Sequence, residues 1–422
     1  MKVASLCQDV TPNENRPVPF GCRSAPALCC ECPNRAATEG KFQGWIEQTV
    51  WPRAQAAGVT RATFDAAMSG VTLNWDLPNL VIEGAPEDTS QYQAEFRHPA
   101  RYFNVDGLVY ASDAGAALMR KHAAVLAEIE ARTGVPAQII VSIWGRESSF
   151  GAANIPHDAF RILGTKGFMS TRAPYFTDEL IAALQIVAQG FANRDAMRSS
   201  WAGALGQPQF MPSSYLKYAV DGDADGRVDI WHSEADTLAS IGAYLAAHGW
   251  KAGRDWGFEV NLPADVPCYL EGPDQGLAVA DWAARGVTRV SGQPFPQAES
   301  AEEGYLMMPA GRSGPAFIVT SNFYVLKDYN ESDVYALFVG HVGDRSKFGV
   351  RDFSGAWGDL DKISRTDVLA MQRALEAAGH DVGGADGLIG NKTRRSIGLW
   401  QEQNGMPITC YPNSATAVAL AR

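Results

Sequence analysis

The sequence predicts a mainly helical α+β protein: a large helical body containing a small β-bearing subdomain, then a separate small helical module. Three observations predict it. Apolar residues recur at helical spacing in segments from Phe42 to His248 and again from Ser332. Between Phe258 and Thr320 the texture changes to short β-type runs separated by Gly and Pro. After the pattern-poor stretch Arg345–Asp359, helical segments separated by Gly- and Asp-rich turns resume from about Ile363. The 422 residues are 46% hydrophobic and 10% aromatic, enough for packed cores and against disorder over most of the length. With 36 basic against 47 acidic residues the net charge is −11, so the counterion-releasing surface of a nucleic-acid binder is not expected. No run approaches the 18 or more apolar residues of a bilayer span, and a monomer is expected.

Taken in order, residues 1–38 hold five of the seven cysteines (Cys7, Cys22, Cys29, Cys30 and Cys32) without periodicity or the apolar core of an export signal. They read as a disordered leader or a misassigned start. A zinc site is the alternative, weakened because Cys29-Cys30-Glu31-Cys32 lacks a Cys-x-x-Cys knuckle and the first histidine is His98. The main domain covers 39–342. Phe42, Trp45, Ile46 and Val50 fall on one helix face, with an end expected near Pro52, and a second helix is expected over Thr60–Met68. Loops fill Leu77–Asp88, and helices return at Asp113–Thr133 and Pro136–Ser148. Ser200–Tyr215 reads as loop. Ala235–His248 is an amphipathic helix, with Leu238, Ile241 and Leu245 on its stripe. Phe258–Leu262 and Ala316–Thr320 are strand-like, with one helix near Leu277–Arg285 and another over Ser332–Asp344. Residues 343–362 read as a flexible linker and 363–422 as the module. Cys268 and Cys410 stand apart from the other cysteines and read as free or buried thiols.

Two segments carry chemistry. In Gly134–Gly151, Pro136 suits a first helical turn, and Ile140, Ile143 and Glu147 then fall at i, i+3 and i+7. A carboxylate on an otherwise apolar face, near a helix end that Gly151 is expected to stop, favours its neutral acid, which glycosidic general acid catalysis requires. The competing reading is a Glu paired with an Arg or capping a loop, and the preceding Arg146 could itself depress the acid. In Ser200–Tyr215, three glycines permit close backbone approach to a ligand, and Ser200, Gln207 and Gln209 offer donors and acceptors to sugar hydroxyls. An ordinary Gly-Pro loop is the alternative.

These residues carry a resemblance. Trp144-Gly-Arg-Glu147-Ser-Ser-Phe-Gly151 and Ser200-Trp-Ala-Gly-Ala-Leu-Gly-Gln-Pro-Gln-Phe-Met-Pro-Ser-Ser-Tyr215 resemble the signature of the membrane-bound lytic murein transglycosylase B family, glycoside hydrolase family 103. Gln93–Phe96, Asp225–Trp231, Ala243–Trp250 and Tyr329–Leu337 match further, in the family's order, over about residues 40–342. The resemblance implies a lysozyme-like catalytic domain that binds peptidoglycan glycan strands. Glu147 would be its single acid/base, and the products would be 1,6-anhydromuramoyl ends made without water or a catalytic cofactor. It also implies cleft positions at Ser200, Gln209, Tyr244, Tyr329, Asn330 and Tyr335, with Tyr102 on a looser alignment. Such a substrate implies a periplasmic or cell-envelope location. Hydrolysis by the same Glu147, with water activated by Asp178 or Glu179, is the rival enzyme reading, and a non-catalytic peptidoglycan adaptor is the rival outside enzymes.

Asp221, Asp223, Asp225 and Gly226 reproduce the first half of an EF-hand loop, but position twelve is His232. A structural calcium would use Asp221, Asp223, Asp225, the Arg227 carbonyl and Asp236, one residue beyond the closing Asp of some relatives. A solvated acidic turn is the alternative. The last module resembles the peptidoglycan-binding domain 1 family, a three-helix wall-binding fold, through Asp386, Gly387, Gly390 and Thr393. Singly, each of these reads as a turn or cap residue.

Overall fold

The computed structural model describes residues 35–82, 99–350 and 352–421. The five clustered cysteines and the Gln93–Phe96 motif lie outside the described residues. The described residues divide into two compact units, one of residues 35–82 and 144–244, the other of residues 99–143, 245–350 and 352–421.

In the first unit the opening helix starts at Arg35, so 35–38 belong to the folded body rather than to a leader. It does not stop near Pro52. Arg35–Trp45 passes through a π-turn at Ile46–Val50 into Trp51–Ala56, and Pro52 sits in the first turn of that last segment, where a missing N–H breaks no helical bond. Thr60 caps Arg61–Met68 by accepting from the Thr63 N–H at 3.1 Å. Two central helices, Ala159–Met169 and Ala173–Ala188, escaped the periodicity argument because they are buried on most sides and show no single apolar stripe. Pro212–Tyr218 is also helical, correcting the end of the Ser200–Tyr215 loop.

In the second unit the expected Asp113–Thr133 helix is two helices, Val105–Lys121 and Ala123–Thr133, broken where His122 leaves helical geometry at ψ 22°. The β region is a five-stranded antiparallel sheet in the order Leu277–Ala278, Glu303–Met307, Ala316–Val319, Gly257–Asn261, Thr288–Arg289. Ile318 pairs with Phe258 on one side and Leu306 on the other. The helix Val279–Ala284 covers the sheet with Trp282, fully buried, whose indole donates to the Gly304 carbonyl at 2.9 Å. Among the described residues no helix is long and apolar enough to cross a membrane.

The expected flexible linker is corrected in two ways. The helix Asp333–Phe348 runs into it, because only Gly349, in the left-handed region at φ 64°, ends the turn. Beyond it the chain is irregular but docked. Phe353 packs on His341, Phe317 and Phe103 with centroids at 4.0, 4.9 and 5.2 Å, and Trp357 stacks on Phe103 at 5.4 Å. The Glu259 carboxylate accepts from the backbone N–H groups of Ser354 and Gly355. Burial, with Arg345 nearby, pushes the His341 imidazole down to about 4, so the ring under Phe353 is neutral near pH 7.

The C-terminal module has three helices, Arg365–Ala377, Asn391–Gln403 and Ser414–Leu420, around Met371, Leu375, Val382 and Ile397. Ser364 and Asp367 form a reciprocal capping box at its start. The module is fastened to the sheet. Cys268 and Cys410 are not free thiols but a disulfide, and both cysteines lie in the apolar cluster beneath the sheet with Trp282 and Ile318. Arg394, 2% exposed, sends Nε to both oxygens of Glu271 at 3.0 and 3.1 Å, Nη2 to Asp333 at 2.8 Å and Nη1 to the Ile389 carbonyl at 3.1 Å. Lys327 completes the network by binding the other Asp333 oxygen. Burial alone would raise the Asp333 carboxyl, but Lys327 and Arg394 outweigh it and hold it well below the usual carboxylate range. Tyr269–Glu402 and Asp274–Arg395 contacts flank this centre.

The disulfide closes a loop between residues 142 apart in sequence, so the Cys268→Ala/Cys410→Ala variant is expected to lose about 2–5 kcal/mol of stability. Equilibrium denaturation of the variant against the unaltered chain checks this. Equal midpoints and slopes would mean that the crosslink does not restrain the unfolded chain.

Candidate active site

Glu147 occupies the last turn of the helix Ala137–Ser148, one turn beyond Ile143, and is 5% exposed. Ile139, Ile140, Ile143 and Trp144, all buried, anchor that helix face. The chain then takes three successive left-handed residues, Ser149 (φ 50°), Phe150 (φ 58°) and Gly151 (φ 81°). Two of them are not glycine, a conformation costing on the order of 1 kcal/mol each unless packing enforces it. Packing does so here. The Phe150 ring folds back edge-on to Trp144 at 5.7 Å and fills the space over Gly145, where a Cβ would meet it at 2.5 Å. The Ser149 N–H closes onto the Gly145 carbonyl, and the Ala153 N–H onto Ser148. The sequence expectation that Gly151 ends the helix is therefore completed by Ser149 and Phe150.

Gln207 ties this helix end to the glycine-rich loop. Its Oε1 accepts from the buried Trp144 indole at 2.7 Å, its Nε2 donates to the Trp231 carbonyl at 3.0 Å, and its backbone N–H donates to the Ile230 carbonyl at 2.8 Å. A Cβ on Gly151 would strike Gln207 Oε1 at 2.5 Å, which fixes a glycine there. The sequence offers Gln207 as a sugar-facing group, and the structure makes it a bridge. Within the same loop Ser200 pairs with Ala204 through both backbone and Oγ, and Gln209, left-handed at φ 53°, donates its amide to the Gly206 carbonyl at 2.9 Å. Sequence reading missed Lys166. It is buried with its ammonium over Trp201 at 4.9 Å and Phe176 at 5.1 Å, and burial, with Arg172 nearby, brings its pKa down to about 8. A lysine inside an apolar helix has no local sequence signal, since its aromatic partners are distant in the chain.

Glu147, Ser200, Gln209 and Tyr244 thus belong to one unit and Tyr102, Tyr329, Asn330 and Tyr335 to the other. Ser200 and Gln209 are half-buried, as is Tyr102, which packs on Phe338 at 5.8 Å. Tyr244 is buried between Phe210 and Tyr218. Tyr329 and Asn330 are buried at the end of the helix Ser321–Tyr329, and Tyr335 is fully buried in the helix that follows. The two carboxylates considered as water-activating bases are engaged elsewhere. Glu179 is buried and accepts from the Ser213 N–H at 2.9 Å and hydroxyl at 2.8 Å, holding the start of Pro212–Tyr218, while Asp178 is exposed and paired with Arg53.

In the acidic loop, Asp221, Asp223 and Asp236 bring one oxygen each within 4.8 Å of the others. Asp225 is not part of this cluster. Its Oδ1 accepts the Arg227 N–H at 2.8 Å. Asp221 Oδ1 is buried without a hydrogen-bond partner among the described residues. Burial raises the Asp236 carboxyl, the charges of Asp223 and Asp221 add to that, and only the N–H groups of Gly222 and Asp229 oppose it. An orphaned oxygen among three converging carboxylates fits a hard divalent cation. His232 instead faces Asp229.

In the module, Asp386 and Thr393 serve the backbone scaffold. Gln372, buried, donates to Asp386, Thr393 and the Leu388 carbonyl and accepts from the Gly387 N–H at 2.6 Å. Gly387, at φ 76°, lies where a Cβ would meet Arg365 at 2.6 Å.

Residues 41–344 match the family described as Transglycosylase SLT domain, and residues 364–420 match the Putative peptidoglycan binding domain. The chain is similar to the membrane-bound lytic murein transglycosylase B of Escherichia coli (strain K12), 33% identical over 211 residues, which are 50% of this chain and 56% of that protein. It thus spans little more than half the length of that curated relative. Among solved structures it is similar to SltB3 from Pseudomonas aeruginosa in complex with NAG-NAM-pentapeptide, at 39% identity and a TM-score of 0.80, covering 90% of this chain and 99% of that one. The same protein in complex with NAG-anhNAM-pentapeptide gives 36% identity and a TM-score of 0.78 with the same coverage.

Replacing Gln207 by Leu strands the buried Trp144 indole N–H and is expected to cost about 1–3 kcal/mol in denaturant unfolding. A stability equal to that of the parent would remove Gln207 as the bridge.

Proposed function

This chain belongs to the transglycosylase SLT domain family, and from that premise we propose that it is a lytic murein transglycosylase, a carbon–oxygen lyase that cleaves the MurNAc-β-1,4-GlcNAc bond of peptidoglycan. The observation that carries the reading is the buried carboxyl of Glu147, held at a helix end by a packed left-handed turn and joined through Trp144 and Gln207 to the glycine-rich loop. As the acid, Glu147 gives its proton to the bridging oxygen while the bond from that oxygen to the muramoyl C1 breaks. As the resulting carboxylate, it takes the proton of the muramoyl C6 hydroxyl while that oxygen bonds to C1. The enzyme ends protonated as it began, no water is consumed, and the product is a 1,6-anhydromuramoyl end. The substrate's own N-acetyl group stabilises the intermediate cation, so no second carboxylate is needed. Commitment of Glu179 and Asp178 to Ser213 and Arg53 supports this over hydrolysis. Ser200, Gln209 and Tyr244 in the first unit, and Tyr102, Tyr329, Asn330 and Tyr335 in the second, are the proposed substrate positions. The glycan strand is the partner, the chain works as a monomer, and the buried disulfide supports a periplasmic or cell-envelope location, where thiols oxidise.

Calcium is proposed as a structural ion held by Asp221, Asp223 and Asp236. It would supply charge neutralisation and hold the loop Val220–Ile230 to the helix Glu234–Ala247, with no part in the chemistry.

Mass spectrometry of muropeptides released from purified peptidoglycan tests the reaction. Anhydromuramoyl ends are expected from the unaltered chain, with a loss of at least ~100-fold in rate for Glu147→Gln. Reducing ends would establish a hydrolase, and no cleavage at all an adaptor. For the ion, adding calcium to chelator-treated protein should raise the melting temperature, and Asp221→Asn/Asp223→Asn should abolish that rise. A melting temperature indifferent to calcium returns the loop to a solvated acidic turn.

A further inference from the structure

We propose that Arg394, on the peptidoglycan-binding module, is a positioning residue for the substrate-binding loop of the transglycosylase domain, so that the module holds that loop and is not only a tether. The inference rests on the assignment of Tyr329 and Asn330 to substrate binding. Those two residues end the helix Ser321–Tyr329, and only Glu331 and Ser332 separate them from the helix Asp333–Phe348. Both ends of this four-residue turn are gripped by one carboxylate. Asp333 Oδ1 takes Lys327 from the helix before the turn, and Asp333 Oδ2 takes Arg394 Nη2 from the module at 2.8 Å. Arg394 is in turn oriented by the fully buried Glu271, whose Oε1 also accepts the Met308 N–H at 3.0 Å.

The rest of the seam is consistent with a fixed geometry. A cleft of about 200 Å³ opens beside it, lined by Glu331, Ser332 and Asp333 of the loop and by Asn391, Arg394 and Tyr411 of the module. The approach of the two parts is close. A Cβ on Gly311 would strike the Thr409 carbonyl at 2.3 Å, and the Arg312 N–H donates to that same carbonyl at 2.9 Å. A guanidinium forked between two carboxylates has one low-energy arrangement, so it passes the position of the module on to Asp333 and thence to the turn.

The test uses the full-length chain and a soluble tetrasaccharide of peptidoglycan, on which attachment to an insoluble wall gives no advantage. Removing Arg394 alone would leave Glu271 buried and unpaired, so the variant is Glu271→Gln/Arg394→Met, which deletes both charges, keeps an acceptor for Met308 and leaves Asp333 paired with Lys327. A melting curve and pelleting with intact sacculi monitor folding and wall binding. The expected result is a rise in KM of about 5-fold or more with kcat within about 2-fold and wall binding retained, because the turn holds substrate and does not carry the proton. Asp333→Asn, which keeps the side-chain volume, is expected to raise KM in the same direction. Unchanged KM in a folded double variant overturns the inference and returns the module to a tether. Loss of the folded state in both variants overturns it as well, making the network a determinant of folding. An unaltered chain that releases no anhydromuramoyl product overturns the transglycosylase reading first, an outcome distinct from an active parent with an indifferent variant.

Discussion

The interaction on which the rest of the structure depends is the buried fork of Arg394 between Glu271 and Asp333. A guanidinium cannot shed its proton, so burying it demands acceptors for its donors. Here the sheet subdomain, the turn between two helices of the main domain and the module's own Ile389 carbonyl provide them. None of these elements can move away without stranding a charge in the interior. The Cys268–Cys410 bond and the packing of Ile408 and Cys410 into the apolar cluster below the sheet act at the same seam. Charge, covalent closure and apolar burial therefore oppose the same displacement, and the docked segment carrying Phe353 and Trp357 follows from it.

Buried glutamine is a second recurring device. Gln207 joins the end of the acid-bearing helix to two later turns, and Gln372 gathers the Asp386–Thr393 turn of the module. Gln401 accepts from the N–H groups of Thr409 and Cys410 and donates to Thr409 and Thr416. A neutral amide donates and accepts at once, so one side chain can satisfy several backbone groups of an irregular loop without burying a charge. Loops that must be both irregular and rigid are held this way on either side of the module boundary. In the proposed reaction a single carboxyl that serves as acid and then as base would profit from that rigidity, since both proton transfers would be made at one fixed position.

Much of the fold was legible in the sequence where local chemistry alone decides it. Thr60 and Ser332 announced helix starts, and Phe258 and Ala316–Val319 announced strands that lie within one residue of expectation. Glu147 was legible as a carboxylate at the end of an isoleucine-lined helix face, and burial at 5% exposure agrees with that geometry. Elements without an amphipathic contrast were illegible. Ala159–Met169 and Ala173–Ala188 are surrounded by protein, and Pro52 misled because a π-turn places it at the start of a segment instead of inside one. In the candidate site, Gln207 takes its role from Trp144 and Trp231, 24 or more residues away, and Lys166 meets Phe176 and Trp201 only through tertiary packing, which spacing arguments do not reach.

By itself the sequence determined the helical and β composition, the order of the segments, the carboxylate at the end of an apolar helix face at Glu147 and the family to which they point, because these depend on residues close together in the chain. Tertiary structure decided everything that joins distant segments: that Cys268 finds Cys410, that Glu271 and Asp333 share Arg394, and that Asp236 rather than Asp225 meets Asp221 and Asp223. It also decided that the segment read as a flexible linker is docked. The physical reason is common to all four. Pairing and burial energies depend on distance in space, and a sequence fixes that distance only within a turn or two of helix or strand.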